Sequence, residues 1–140
     1  MPSSNPRFKI LIVDDNPHVR RMVRDLIMDV DVDVIECQGA QEACDEYTRW
    51  RPNCVLMDIR MPGLDGIAAT RLIRDKFPDA RIAIVTNYDD LMLRKDAEEA
   101  GAIAFVTKDD MSVLRSLVTN LKTRTRTQGH EKELPSWDQQ

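Results

Sequence analysis

No apolar run in this chain comes close to the ~20 residues that a membrane-spanning helix needs. The opening stretch MPSSNPRFK also lacks the apolar segment of a secretory signal. The expectation is a cytoplasmic protein with no membrane partner. Cysteine is scarce: Cys37, Cys44 and Cys54 are odd in number and lack the close pairs of a zinc knuckle, which argues against a disulfide framework and a structural metal. They are expected to pack as small buried hydrophobes. A basic excess is missing too. With a formal net charge of −4 the chain has no electrostatic footprint for nucleic acid. Its local basic groups, Arg20, Arg21 and Arg24, then Arg115, Lys122, Arg124 and Arg126, fall on expected helices, where a solvated face is the simple reading. Nor is there a phosphate-cradling P-loop, an internal repeat or a low-complexity block.

What remains is a chain of 140 residues, long enough for one domain and too short for two of ordinary size. With 42% hydrophobic and 31% charged residues, composition excludes collagen-like, disordered and membrane classes and leaves the fold to pattern. FKILIV, Phe8 to Val13, reads as a buried strand. Behind it Val19, Met22, Val23, Leu26, Ile27 and Val30 keep the spacing of three and four that marks an amphipathic helix, with Asn16 suited to its N-cap and Pro17 to its first position. The unit recurs, with strands expected at Val32 to Cys37, Cys54 to Asp58, Arg81 to Thr86 and Ala102 to Lys108. The following helices turn inward Ala40, Ala43, Cys44 and Tyr47, then Ala68, Ala69, Leu72 and Ile73, and finally Met111, Leu114, Val118 and Leu121. The helix before the fifth strand opens near Asp89-Asp90 and closes at Gly101, a favourable left-handed cap. Five strands alternating with five helices predict a doubly wound α/β fold, a parallel sheet with helices on both faces, because short right-handed crossovers leave few other arrangements. From about Thr123 the chain is polar and unpatterned, with Trp137 the one residue there suited to docking. His18 and His130 are expected to be exposed.

The tips of these strands carry the chemistry. In an open α/β sheet, ligands gather beyond the carboxyl ends of the strands, near the point where strand order reverses. The first strand ends in Asp14 and Asp15, the third in Asp58, the fourth in Thr86 and the fifth in Lys108, and parallel strands bring all five to one edge. Two carboxylates 4 Å apart repel by ~1 kcal/mol in water and ~4 kcal/mol at an effective dielectric of 20. One of three crowded there would tend to hold a proton, its pKa raised by its neighbours. A divalent cation removes the conflict, and Mg²⁺ suits carboxylates that share it with a phosphate. Lys108 supplies a mobile positive charge for a phosphate oxygen, and Thr86 a hydroxyl donor. Singly, such an Asp is usually a cap, the Lys solvated and the Thr a turn residue. Their coincidence at the tips of four strands is what points to a site.

The segments LIVDDNP, VLMDIRMPGLDG around Asp58, AIVTN with Thr86 and AFVTKD with Lys108 follow an order and spacing similar to those of the receiver domain of two-component response regulators. The resemblance covers about Phe8 to Lys122. It implies a flavodoxin-like strand order 2-1-3-4-5, and it implies that Asp58 accepts a phosphoryl group from a sensor histidine kinase or phosphotransfer protein. By the same resemblance Asp15 and Asp58 would bind Mg²⁺ directly with the backbone carbonyl of Arg60, and Asp14 through a water. Lys108 would pair with the phosphate, Thr86 would donate to it, and Phe105 would move inward with Thr86. The switching surface would be the fourth helix, fifth strand and fifth helix. Such a domain is a signalling phosphoacceptor in a phosphorelay rather than an enzyme. Its partner is an output protein or an attached effector domain, it makes no direct nucleic acid contact, and a homodimer formed on phosphorylation stays open. The expected layout is an N-terminal arm over 1–7, the receiver over 8–123 and a polar tail or linker over 124–140.

Departures from the family pattern cluster near the site. Asp109 stands where many receivers have proline after the lysine. Asn87 and Tyr88 are larger than the small residue usual after the threonine, and are expected to narrow access to Asp58. The stretch DIRMPGLDG with Lys108-Asp109 resembles receivers that precede a helix-turn-helix domain, so both a stand-alone receiver and one cut from a longer transcription regulator stay open. Two other classes compete. A haloacid dehalogenase type phosphatase would show D-x-D-x-T, whereas these first carboxylates are adjacent. A flavodoxin-like cofactor binder would need a Ser/Thr/Gly-rich loop where this chain has DDNPHV.

Overall fold

A computed structural model describes residues 7–28 and 31–126. The arm over 1–6, Val30, His130, Trp137 and the tail from 127 lie outside the described residues. The elements run β1 (Phe8–Val13), α1 (Pro17–Ile27), β2 (Val32–Cys37), α2 (Ala40–Trp50), β3 (Cys54–Met57), α3 (Gly66–Lys76), β4 (Ile82–Thr86), α4 (Leu91–Ala100), β5 (Ala104–Thr107) and α5 (Val113–Arg126). The last helix thus runs into the stretch assigned to the tail. The five strands form one sheet in the order β2-β1-β3-β4-β5, every neighbouring pair parallel. This is the doubly wound, flavodoxin-like arrangement expected from the sequence. The order reverses between β1 and β3, so the loops after those strands diverge and leave a crevice between them.

Side chains alternate across each strand, and the core accordingly splits into two layers. Leu11, Val13, Val55, Met57, Ile82, Ile84 and Phe105 pack under α2, α3 and α4 with Ala43, Tyr47, Ala69, Ile73 and Ala97. Ile10, Ile12, Leu56, Ala83, Val85 and Val106 pack under α1 and α5 with Val23, Ile27, Leu114, Val118 and Leu121. Each fully buried aliphatic side chain contributes ~1.5–3 kcal/mol, enough in sum for the sheet to carry a rim of buried charge.

Helix ends follow the local chemistry. Asn16 accepts a hydrogen bond from the His18 N–H at the start of α1, with Pro17 at its first position. Asp65 and Asp90 cap α3 and α4 in the same way. Gly101 ends α4 at φ 100°, its N–H returning to the carbonyls of Ala97 and Glu98, a conformation that an L side chain resists.

Two inward assignments fail. Met22 is 52% exposed and Leu72 49%, because each lies about 100° around its helix from the buried Val23 or Ile73 beside it. An 11-residue helix buries only one stripe, and those residues stand at its margin. Cys37 and Cys54 are buried as expected, but Cys44 is only partly so. Strand limits also shift: Asp58 and Lys108 stand one residue beyond β3 and β5, where the chain has left the ladder and a polar side chain is free to turn towards the crevice. Lys108–Asp110 forms a short 3-10 turn, and the described residues contain no cis peptide bond, so Asp109 follows the lysine in the trans form.

Candidate functional site

Each polar residue at the rim is set by the strand that delivers it. Asp14 is buried; its Oδ1 accepts from the Asn16 N–H at 2.9 Å, closing a turn that feeds directly into the α1 cap. Its carbonyl accepts from Arg20 Nη1 at 2.5 Å, and Arg20 is held in turn by Glu36 at 3.0 Å. Glu36 lies between Arg20 and Arg24; partial burial raises its pKa, but bonding and charge from the two arginines bring it below its ordinary value. Across the crevice, the Asp58 N–H donates to the Val13 carbonyl at 2.9 Å, and Asp58 Oδ1 accepts from the Ile59 N–H at 2.9 Å.

The loop after Asp58 is folded back tightly. The Gly66 N–H donates to the Ile59 carbonyl at 2.8 Å, and a Cβ on Gly66 would lie 1.9 Å from the Asp58 carbonyl oxygen. Only glycine permits this approach of α3 to the strand tip. Its only trace in the sequence is its place just after the Asp65 cap.

Lys108 reaches the crevice from β5 and ties its two sides together. Its Nζ lies 2.8 Å from Asp14 Oδ2 and 3.4 Å from Asp58 Oδ2. Three carboxylates face one ammonium, so the compensation is incomplete. Burial pushes the Asp58 carboxyl up to about 6, the Asp14 charge adds to the rise, and Lys108 opposes it. The expected raised carboxyl is therefore present, with burial as the larger cause and like charge second. Asp14, Asp15 and Asp58 each offer an oxygen within 4.8 Å of the others. Hard oxygen donors at this spacing, with Asp15 exposed to solvent, fit a magnesium ion that keeps part of its water shell.

Thr86 is fully buried at the tip of β4. It continues the row of Ile82 and Ile84 by alternation, and Phe105 pairs opposite Ile84, which makes Thr86 and Phe105 diagonal neighbours on one face. Thr86 Oγ1 accepts from the Tyr88 N–H at 3.4 Å. Phe105 is already buried, with the Arg94 guanidinium 4.7 Å from its ring centroid and Arg94 bridged to Asp89 at 2.9 Å. Asn87 is exposed, and Tyr88 lies under the Arg60 guanidinium. His18 is exposed, as expected. The side chains of Arg60 and Arg94 and the close approach at Gly66 escaped the sequence reading.

An acid-lined crevice at the switch point of a five-stranded parallel sheet, with a lysine and a threonine from the next two strands, defines a phosphoryl-handling α/β module. The chain belongs to the response regulator receiver domain family, whose model matches residues 10–119. It is 36% identical over 103 residues to the transcriptional regulatory protein LnrK of Bacillus subtilis, covering 72% of this chain and 47% of that protein. It is 34% identical over 101 residues to the chemotaxis protein CheY of Listeria monocytogenes, covering 71% of this chain and 85% of that one. Among solved structures, a LuxR-family two-component response regulator from Aurantimonas superposes with a TM-score of 0.76 at 36% identity, covering 85% of this chain and 88% of that one. The chain thus spans about half the length of LnrK and most of the length of CheY. The family match sets aside the haloacid dehalogenase and flavin-binding readings. Receiver domains are signalling modules that bind Mg²⁺ at an acidic pocket, and this chain brings Asp14, Asp15 and Asp58 together in a cluster that could hold a metal ion. No helix among the described residues is long and apolar enough to cross a membrane.

Proposed function

We propose that Asp58 is the phosphoacceptor of this domain. An Asp58 carboxylate oxygen attacks the phosphorus of a phosphohistidine on a sensor histidine kinase or phosphotransfer protein. A P–O bond forms as the P–N bond breaks, and the electron pair returns to the imidazole nitrogen. The reaction asks the protein chiefly for positioning and neutralisation of charge. Lys108, already 3.4 Å from Asp58 Oδ2, pairs with the incoming phosphoryl oxygens, and the Thr86 hydroxyl donates to them. Asp15, Asp58 and the Arg60 backbone carbonyl would hold Mg²⁺ directly and Asp14 through water; the ion supplies a positive charge against the carboxylates and phosphoryl oxygens. The observation that carries this reading is the single lysine held between two buried carboxylates from different strands.

The phosphoryl group adds about 1.5 to 2 negative charges and new acceptor oxygens, which favours the conformation that brings Thr86 close. Phe105, its diagonal neighbour, repacks with it and alters the surface of α4, β5 and α5. Output passes through that surface to a separate protein, to an attached effector domain or to a second phosphorylated copy. Incubation with Mg²⁺ and acetyl phosphate followed by intact-mass measurement tests the acceptor: one phosphoryl group on the parent and none on Asp58→Asn supports it. A parent that takes up none, or an Asn variant that takes up as much, overturns it.

A further inference from the structure

Arg60 and Tyr88 sit on the loops after the neighbouring strands β3 and β4, the first two residues past Asp58 and the second two past Thr86. The Arg60 guanidinium lies 4.2 Å from the Tyr88 ring centroid. Both residues are exposed, Tyr88 at 44%, so core packing does not impose the contact. Arg60 also lines an open cleft of about 500 Å³ together with Asp15 and Asp65, yet no ion pair among the described residues joins it to either carboxylate. Its side chain makes no hydrogen bond among those residues either. An arginine whose guanidinium carbon lies over an aromatic ring and that makes no other hydrogen bond among the described residues keeps N–H donors available. Tyr88 is itself anchored by its N–H to Thr86 Oγ1 at 3.4 Å.

We infer that Arg60 is a further phosphoryl-binding residue, whose free N–H edge is aimed by the Tyr88 ring at the oxygens of a phosphoryl group on Asp58. Tyr88 is the positioning residue of the pair. The inference rests on Asp58 being the acceptor, and it gives the Arg60 side chain a role separate from that of its backbone carbonyl. Guanidinium bonding to phosphoryl oxygens is worth roughly a factor of 10 to 100 in affinity, and an exposed cation–π contact roughly a factor of 2 to 5. Those two factors set the sizes to be read.

The test is a titration of the full chain with beryllofluoride and Mg²⁺ followed by NMR, with unfolding midpoints recorded for each variant. Arg60→Met is expected to weaken binding about 10-fold or more, and Tyr88→Leu about 2- to 5-fold. Tyr88→Phe, which keeps the ring, is expected to match the parent. In the Arg60→Met background the Tyr88→Leu loss disappears, because the ring then has no guanidinium to hold. Arg60→Met binding within twofold of the parent overturns the inference, as does a Tyr88→Leu loss that persists undiminished in the double variant. A parent that binds no beryllofluoride overturns the reading of Asp58 itself, and this inference with it.

Discussion

The rim of the sheet has two unlike halves. The β1 and β3 tips bring only acceptors, Asp14, Asp15 and Asp58, while the β4 and β5 tips bring donors, Thr86 and Lys108. The strand-order reversal lies within the acceptor half, where the loops diverge and leave room for a hydrated cation. The donor half lies along an uninterrupted ladder in which Thr86 pairs with Thr107; Thr86 is fully buried there, whereas the acceptor half keeps Asp15 exposed to solvent. A cation is suited to the first half and an anion to the second, so an ion pair of metal and phosphoryl group fits the seam between them.

That contrast is most sharply broken by removing Lys108, the side chain that reaches from the donor half to Asp14 and Asp58. Lys108→Met is expected to slow phosphoryl uptake from acetyl phosphate by on the order of 100-fold, the scale lost when a preorganised charge-stabilising donor is deleted; rates from intact-mass time courses check it. The acceptor half predicts the opposite sign for stability. Because the folded Asp58 carboxyl titrates near 6 rather than at its ordinary 3.8, the folded state binds the extra proton between those values. Metal-free stability should therefore fall as pH rises through that window. Asp58→Asn removes the slope and should be more stable by about 2–3 kcal/mol above pH 6, which urea unfolding in chelator resolves.

Smaller effects sharpen the boundary between the halves. Gly66→Ala forces the β3–α3 loop away from the Asp58 carbonyl and is expected to cost about 1–3 kcal/mol in unfolding free energy, with weaker Mg²⁺ binding by titration. Thr86→Val loses a long hydrogen bond while filling the same space. It should cost only about 0.5–1 kcal/mol in urea, yet shorten the response of α4 amides to beryllofluoride in NMR spectra.

Much of this was legible in the residue order. Alternating apolar strands, the Asn16-Pro17 helix start and the Gly101 stop are local signals, and parallel crossovers then oblige the strand tips to meet. Less legible was whatever depends on packing between distant segments. Tyr88 could be flagged for its size, but its partner Arg60 comes from another loop. The placement of Arg94 over Phe105 joins α4 to β5 through a side-chain direction that spacing does not encode. A raised carboxyl among the three was expected from like charge, whereas at Asp58 the larger cause of the rise is burial, which depends on how closely α3 and the sheet enclose it. Met22 and Leu72 mark the same limit: a periodicity shows that a stripe exists and leaves its edges to the neighbours.

The parallel register has one last consequence. The polar groups at the rim come from four separate strand tips, and the lysine comes with the final strand, so a chain that has not yet added β5 holds the Asp14 and Asp58 carboxylates without the ammonium that pairs with both. Such a chain would carry its acidic rim uncompensated. Completing the site thus requires completing the sheet, because the balancing charge stands one residue past the last strand.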